Sequence, residues 1–278
     1  MRARLSAADL VSAVRTLIPR PDAEFLLMSL LRVTRHELYS GWPVPASCAR
    51  RFARLARRAA CGEPVQYLVK SAPFLDLDLL VDRRVLIPRP ETEELVSRTI
   101  ERSRGAGGNK QLTIVDYGTG SACIAIALAR AFPLARVLAV DASRPALAVA
   151  RQNIQRYQLG RRIRLRQVDS LRASVFDRLR HRVDLLVSNP PYVPTRRLAQ
   201  VSPAVRREPK PALDGGPKGT NIVEMLLADG PEMLSRGGLL AMEIDWSHGP
   251  LVRRLAPGAE IEPDLSGRTR YAFIRRDL

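Results

Sequence analysis

From residue 112 onward, short apolar runs alternate with longer amphipathic ones. LTIVDYG (112–118), RVLAVDAS (136–143), IRLRQVDS (163–170), VDLLVSNPPY (183–192) and GGLLAMEIDW (237–246) read as strands. SACIAIALARAF (121–132), RPALAVARQNIQRYQ (144–158) and TNIVEMLLADGPEML (220–234) read as helices. Such alternation specifies a mostly parallel sheet with helices on both faces. The pattern before residue 70 is different, and residues 5–62 read as helices. Ser6 precedes the first, which puts Leu10, Val14, Leu17 and Ile18 on one face, and Pro19 and Pro21 follow it. A second runs from Asp22 to about Leu31, GWPVP (41–45) is a loop, and a third covers 46–60 with Phe52, Leu55 and Ala59 inward. FLDLDLLV (74–81) alternates like a strand and leads into VLIPRPETEELV (85–96). A helix starting near Glu91 is then joined to the sheet by RSRGAGGNK (102–110), read as a linker.

Composition supports a folded chain. At 278 residues, with 46% hydrophobic and 26% charged positions, there is enough apolar material for a full core. The net charge of +17 predicts attraction to polyanions, or a general excess of arginine on solvated faces. Arg50, Arg51, Arg54, Arg57 and Arg58 crowd the third helix. Cys48, Cys61 and Cys123 form no C-x-x-C pair and no zinc spacing, and His36, His181 and His248 are far apart, so no metal site is expected. Scattered thiols suit a reducing, cytoplasmic setting. The opening twenty residues contain no continuous apolar stretch, and no run approaches bilayer-spanning length, so no leader and no membrane contact are expected.

Two motifs carry chemistry. DYGTGSA (116–122) lies at a strand end and opens a helix, where Gly118 and Gly120 let the backbone turn tightly against a ligand. Asp141 ends the next strand, 21 residues after Gly120, the place of a carboxylate that grips ribose hydroxyls. A nucleoside ligand follows, a dinucleotide being less natural because Ala122 replaces the third glycine. The second motif is VSNPPY (187–192) at the end of the fourth strand. Asn189 offers an acceptor oxygen, Pro190 a free carbonyl and Tyr192 a flat ring, an arrangement suited to a planar NH2 group, either an amide or a base amine. Cys123 reads as a small core residue, and Glu91 and Glu93 as acids complementing a helix N-terminus.

An Asn-Pro-Pro-Tyr segment with a glycine loop resembles the S-adenosylmethionine-dependent methyltransferases that modify planar NH2 groups. EPVQYLVKSAPFLDLDLLVDRRVLIPRPETEELV (63–96), REPKPALDGGPKG (207–219), LLAMEIDW (239–246) and DLSGRTRYAFIRR (264–276) are similar, in order, to the HemK/PrmC family, which methylates the glutamine of the release-factor Gly-Gly-Gln motif. The resemblance implies an α/β fold: a Rossmann-like seven-stranded class I methyltransferase domain over 91–278, a small N-terminal helical substrate-recognition domain over 1–70 and a β-hairpin linker over 71–90. It implies S-adenosylmethionine held by Gly118, Thr119, Gly120, Ser121, Ala122, Asp141, Asp169, Ser170 and Asn189. It assigns the glutamine side chain to Asn189, Pro190, Pro191 and Tyr192, with Asn189, Pro190 and Tyr192 catalytic. Release factors are the implied protein substrate, and a monomer is expected. Ribosome or RNA contact through the basic surface stays open, as do methylation of a ribosomal-protein glutamine or of adenine. Ala122 stands where the family usually has glycine, adding a methyl where the donor is expected to approach, and Ser170 where a larger apolar residue often covers adenine.

Overall fold

The computed structural model describes residues 6–41, 43–107 and 111–277. It divides into two compact units: residues 1–71 with 202–207, and residues 72–201 with 208–278. The first is helical: α1 Ala7–Ala13, α2 Arg20–Leu31, α3 Arg35–Tyr39, α4 Ala46–Ala60 and α5 Val65–Val69. Capping boxes at Ser6/Asp9 and Thr34/Glu37 start α1 and α3. Phe52, Leu55 and Ala56 of α4 join Leu26, Leu27 and Val11 in one core, and Arg50, Arg51, Arg54, Arg57 and Arg58 lie toward the other side of α4. Leu17, expected on the inner face, is 47% exposed because α1 ends at Ala13 and the helical periodicity no longer applies there.

The second unit begins with a hairpin, β1 Ala72–Phe74 and β2 Leu77–Leu79. The alternating run read as one strand is therefore two, folded at Leu75, whose φ of 53° takes the left-handed turn. Phe74, Leu77 and Leu79 supply the buried positions. Next comes α6 Pro90–Gly107. The expected linker at 102–110 is thus helical as far as Gly107, and the rest of it, 108–110, like Trp42 of the expected loop, lies outside the described residues. Burial of Leu95, Val96 and Thr99 explains the extension, together with Arg98 and Arg102, which both pair with Glu262 and lie over the rings of Tyr271 and Phe273.

The sheet strands are β3 Thr113–Tyr117, β4 Arg136–Asp141, β5 Ile163–Gln167, β6 Val183–Ser188, β7 Leu234–Glu243, β8 Glu260–Pro263 and β9 Thr269–Arg275. They form one seven-stranded sheet in the order β5-β4-β3-β6-β7-β9-β8, with β9 antiparallel to both neighbours and the other pairings parallel. Alternate residues bury opposite faces. Ile114, Leu185, Val187 and Leu239 pack against α6, α7 Cys123–Ala131 and α8 Arg144–Arg156. Val115, Leu186, Leu240 and Met242 pack against α9 Asn221–Met233 and α10 Gly249–Leu255. The strand order reverses beside β3, and β3 and β6 end next to each other, Tyr117 opposite Ser188. A crevice at the carboxyl ends of these strands is the favoured ligand site of an open α/β sheet. No helix among the described residues is long and apolar enough to cross a membrane.

Candidate active site

A cavity of about 570 Å³ opens at those strand ends. Its wall includes Gly118, Thr119, Gly120 and Ser121 after β3, Asp141 at the end of β4, Val168 and Asp169 after β5, and Asn189, Pro190 and Pro191 after β6. Nine of the twelve residues expected at the site therefore converge on one space. Ala122, Ser170 and Tyr192 are off its wall.

The glycine loop is shaped by its backbone. Gly118 and Gly120 have φ of 75° and 53°, and the N–H groups of Gly118 and Thr119 both donate to the Val140 carbonyl at 2.9 Å. Asp141 accepts from the Gly120 N–H through Oδ2 and from the Ser143 N–H through Oδ1, each at 2.8 Å. The acid expected to meet a ribose lines the cavity and also staples the loop, with one lone pair on each oxygen not used by these bonds. Asn153, fully buried on α8, donates to the Ser121 and Leu80 carbonyls at 2.9 Å, tying the loop to the chain after the hairpin. Ala122 has a φ of 68° and is fully buried in the core with α7, off the cavity wall, so it carries backbone strain of about 1 kcal/mol. Ser170 accepts from the Arg172 N–H at 3.1 Å in a local turn, so Val168 and Asp169 form that wall alone. Cys123 lines the cavity, and burial pushes its thiol up to about 12, which keeps it protonated.

Asp116 is fully buried beneath this loop. Its Oδ2 accepts from the Thr119 hydroxyl at 2.5 Å and the Ala125 N–H at 3.1 Å, and Oδ1 has no partner among the described residues. Burial holds its pKa up, to about 7, against those two hydrogen bonds, and burial raises Asp141 and Glu243 in the same direction. A folded-state pKa above the unfolded one means that the native protein binds more protons between the two values. Stability is then lost as pH rises from about 4 to about 7, by on the order of 2–4 kcal/mol for Asp116. Asp116→Asn is expected to flatten the fall in urea midpoint between about pH 5 and 7.5. An unaltered slope in that variant would exclude Asp116 as its source.

The NPPY segment is held by a buried relay. Asn189 Nδ2 donates to Thr92 Oγ1 at 2.8 Å, and the Thr92 hydroxyl donates to Glu243 Oε2 at 3.0 Å. The Tyr192 hydroxyl donates to Glu243 Oε1 at 2.7 Å. Glu243, the last residue of β7, is 1% exposed, and the Arg270 guanidinium sits 6.0 Å from the Tyr192 ring centre. The direction of the relay fixes the amide. Thr92 spends its proton on Glu243, so only an N–H can face its oxygen, and Asn189 must leave Oδ1 on the cavity wall as an acceptor. Tyr192, expected to lay its ring against the substrate, lies off the cavity wall and is anchored through its hydroxyl to Glu243, and burial keeps it a phenol well above the usual range.

The backbone behind this segment is packed against the DGGPKG turn. Val193 donates to the Leu213 carbonyl and Gly215 donates back to Val193, both at 2.9 Å. A Cβ on Gly219 would lie 2.3 Å from the Tyr192 carbonyl oxygen, so only glycine fits there. PRPETE has a set of separate partners. Arg89 pairs with Glu208, which also accepts the Ile87 N–H at 3.0 Å; Thr92 carries the relay; Glu93 accepts the Leu75 N–H at 3.0 Å; Glu94 pairs with Arg98. Glu91 and Glu93 stand in the first turn of α6, as expected of acids at a helix N-terminus, and Glu93 holds the hairpin turn as well. Thr92, Glu208 and Glu243 escape a residue-level reading. The segments containing them stand out in the sequence, but Thr92 and Glu243 are 151 positions apart, and no local spacing joins them.

Comparison with known proteins agrees with this geometry. Residues 3–69 match the PrmC N-terminal domain family, and residues 96–206 match the methyltransferase small domain family. A release factor glutamine methyltransferase of Moorella thermoacetica is 40% identical over 270 residues, covering 93% of this chain and 92% of that one. Another, of Gloeobacter violaceus, is 39% identical over 262 residues, covering 93% and 86%. Among solved structures, the hMettl16 catalytic domain in complex with MAT2A 3′UTR hairpin 1 has a TM-score of 0.57 at 16% identity, over 91% of this chain and 90% of that one. This last likeness is one of fold. Identity of 40% sustained along 93% of the chain, with both the helical and the sheet segments matched, places this protein in the release factor glutamine methyltransferase family.

Proposed function

We propose that this protein methylates the side-chain amide nitrogen of the glutamine in the Gly-Gly-Gln motif of peptide chain release factors. S-adenosylmethionine is the methyl donor and, when bound, supplies an electrophilic methyl group on a sulfonium. The residues present suit it: a glycine loop open to close approach, the Asp141 carboxylate with one lone pair on each oxygen left over, and the Val168–Asp169 wall. The observation that carries the proposal is the fixed Asn189 amide. Its Oδ1 and the Pro190 carbonyl accept the two N–H groups of the substrate amide, and Pro191 closes the wall beside them. Accepting both hydrogens raises electron density on a nitrogen otherwise delocalised into its carbonyl. It also aims the lone pair along one line, so positioning supplies much of the rate. Tyr192 acts behind the wall, holding Glu243 for the relay.

Residues 1–70 are proposed to select the protein substrate, 71–90 to link and 91–278 to catalyse. The arginine face of α4 suits an acidic partner. Release factors work in the cytoplasm, which is the proposed location. Labelled donor offered separately with release factor, the same factor with its motif glutamine replaced by alanine, ribosomes and DNA is expected to label only the first. Equal labelling of the glutamine-free factor would end the proposal, and label in ribosomes or DNA alone would favour a ribosomal-protein glutamine or adenine instead.

Asp141→Ala is expected to weaken donor binding by at least ~1.5 kcal/mol, since it removes a charge-assisted hydrogen bond and frees the Gly120 and Ser143 N–H groups as well. Calorimetry on the variant measures this, and an unchanged dissociation constant would show that Asp141 does not hold the donor.

A further inference from the structure

The sheet has a second recess, at the opposite end from the donor cavity. It is about 300 Å³ in volume and is ringed by Arg136, Arg161, Arg162, Arg164, Arg166 and Arg178. Thr113 and Arg136 begin β3 and β4, Arg161 and Arg162 precede β5, and Arg178 lies in a short 3-10 turn before β6. The floor is apolar, made by Val137, Leu138, Val175 and Leu179. The recess exists because this face of edge strand β5 is covered by the turn Ser174–Leu179 and not by a full helix. Arg164 and Arg166 share that face two residues apart, about 6.6 Å along the strand.

Among the described residues, no acidic side chain lines the recess. Arg162 is committed to the Phe132 carbonyl at 3.2 Å and to that of Ala129, and Arg166 to the Leu165 carbonyl at 2.9 Å. Arg136, Arg161, Arg164 and Arg178 are exposed and have no carboxylate ion pair among the described residues, although many other arginines of this chain do. Six like charges round one hollow repel each other and favour a multiply charged anion. Guanidinium groups match phosphate oxygens bidentately, and their planes stack on unpaired bases. A hollow with an apolar floor and a cationic rim takes an unstacked base below and phosphates above, which a paired duplex cannot offer.

We infer that this recess binds single-stranded RNA, independently of the methyl-transfer site. Fluorescence anisotropy with a labelled 12-nucleotide RNA would test it on the full chain at about 50 and 200 mM salt. Arg164→Ser with Arg178→Ser is expected to weaken binding at least ~10-fold and to lower the salt slope by roughly 1.4, about 0.7 for each phosphate left without its arginine. Methyl transfer to release factor should be unchanged, because Arg164 lies on edge strand β5, three strands from β6, and neither residue lines the donor cavity. If that pair lowers the thermal midpoint, Arg178→Ser alone, in the surface turn, replaces it, with about half the slope change expected. Arg253→Ser with Arg254→Ser, removing two exposed charges of α10, should change RNA affinity much less. Wild-type affinity in the recess variants, an equal loss in the α10 variants, equal binding of an RNA duplex, or displacement by polyglutamate of matched charge would each overturn the inference.

Discussion

Asn189→Ala is expected to lower methyl transfer by about 10²–10³-fold while leaving donor affinity within a few-fold of wild type, as loss of one preorganised hydrogen-bonding group does elsewhere. The side chain has two ends with different duties. Nδ2 donates to Thr92 at 2.8 Å, and Oδ1 is the acceptor proposed to face the substrate. Alanine removes the acceptor, and the substrate amide then has only the Pro190 carbonyl to face, so its nitrogen rotates off line. Asn189→Asp should fail as badly despite its similar shape. A carboxylate cannot donate to Thr92, and it would set a second acid beside Glu243 across one hydroxyl. Single-turnover transfer and donor calorimetry on the same samples separate chemistry from binding. Near-normal turnover in either variant would remove Asn189 from the mechanism.

Thr92→Val is expected to lower turnover by about 10–100-fold with little change in donor affinity, and to destabilise the fold by about 1–3 kcal/mol. Valine keeps the shape of threonine but ends the relay on both sides. Glu243 Oε2 loses a hydroxyl donor inside a site that is 1% exposed, and Asn189 Nδ2 loses its acceptor. Nothing then prevents the amide from turning its NH2 toward the cavity, where it repels the substrate N–H groups. Thr92→Ser restores the hydroxyl and should recover most of the turnover. A merely structural role predicts that stability and turnover fall together and that serine rescues both equally. Orientation predicts that turnover falls further than the loss of folded protein accounts for. Wild-type turnover in the valine variant would show that the Asn189 amide is fixed by something else.

Those two residues mark the boundary of what a one-dimensional reading reaches. The strand–helix alternation from residue 112, the end of β6 just before Asn189 and the acid at the end of β4 were all legible, because period, proline chemistry and strand-end position are local properties. The helical segment and the arginine face of α4 were legible for the same reason. Gly118, Gly120 and Asp141 could be aligned on one crevice, since parallel strands deliver their carboxyl ends to one edge. Leu75 was not legible as a turn, because the alternation around it continues on both sides and only pairing folds it back. The outward continuation of α6 depends on Glu262, 164 positions from Arg98, so the glycines near its end looked like a linker.

By itself, then, the sequence determined the fold class, the strand–helix alternation from residue 112 and most of the expected side chains that reach the crevice. Tertiary structure alone decided which way they act. It placed Ala122 in the core, anchored the Tyr192 hydroxyl on Glu243, and set the orientation of the Asn189 amide by holding its nitrogen on Thr92. The reason is that a hydrogen bond has a direction and a desolvated carboxylate must be satisfied wherever its donors lie in the chain. Periodicity can place a side chain on a face, but the partner that sets its orientation comes from another strand and another loop, and only folding brings them within hydrogen-bonding distance, about 3 Å.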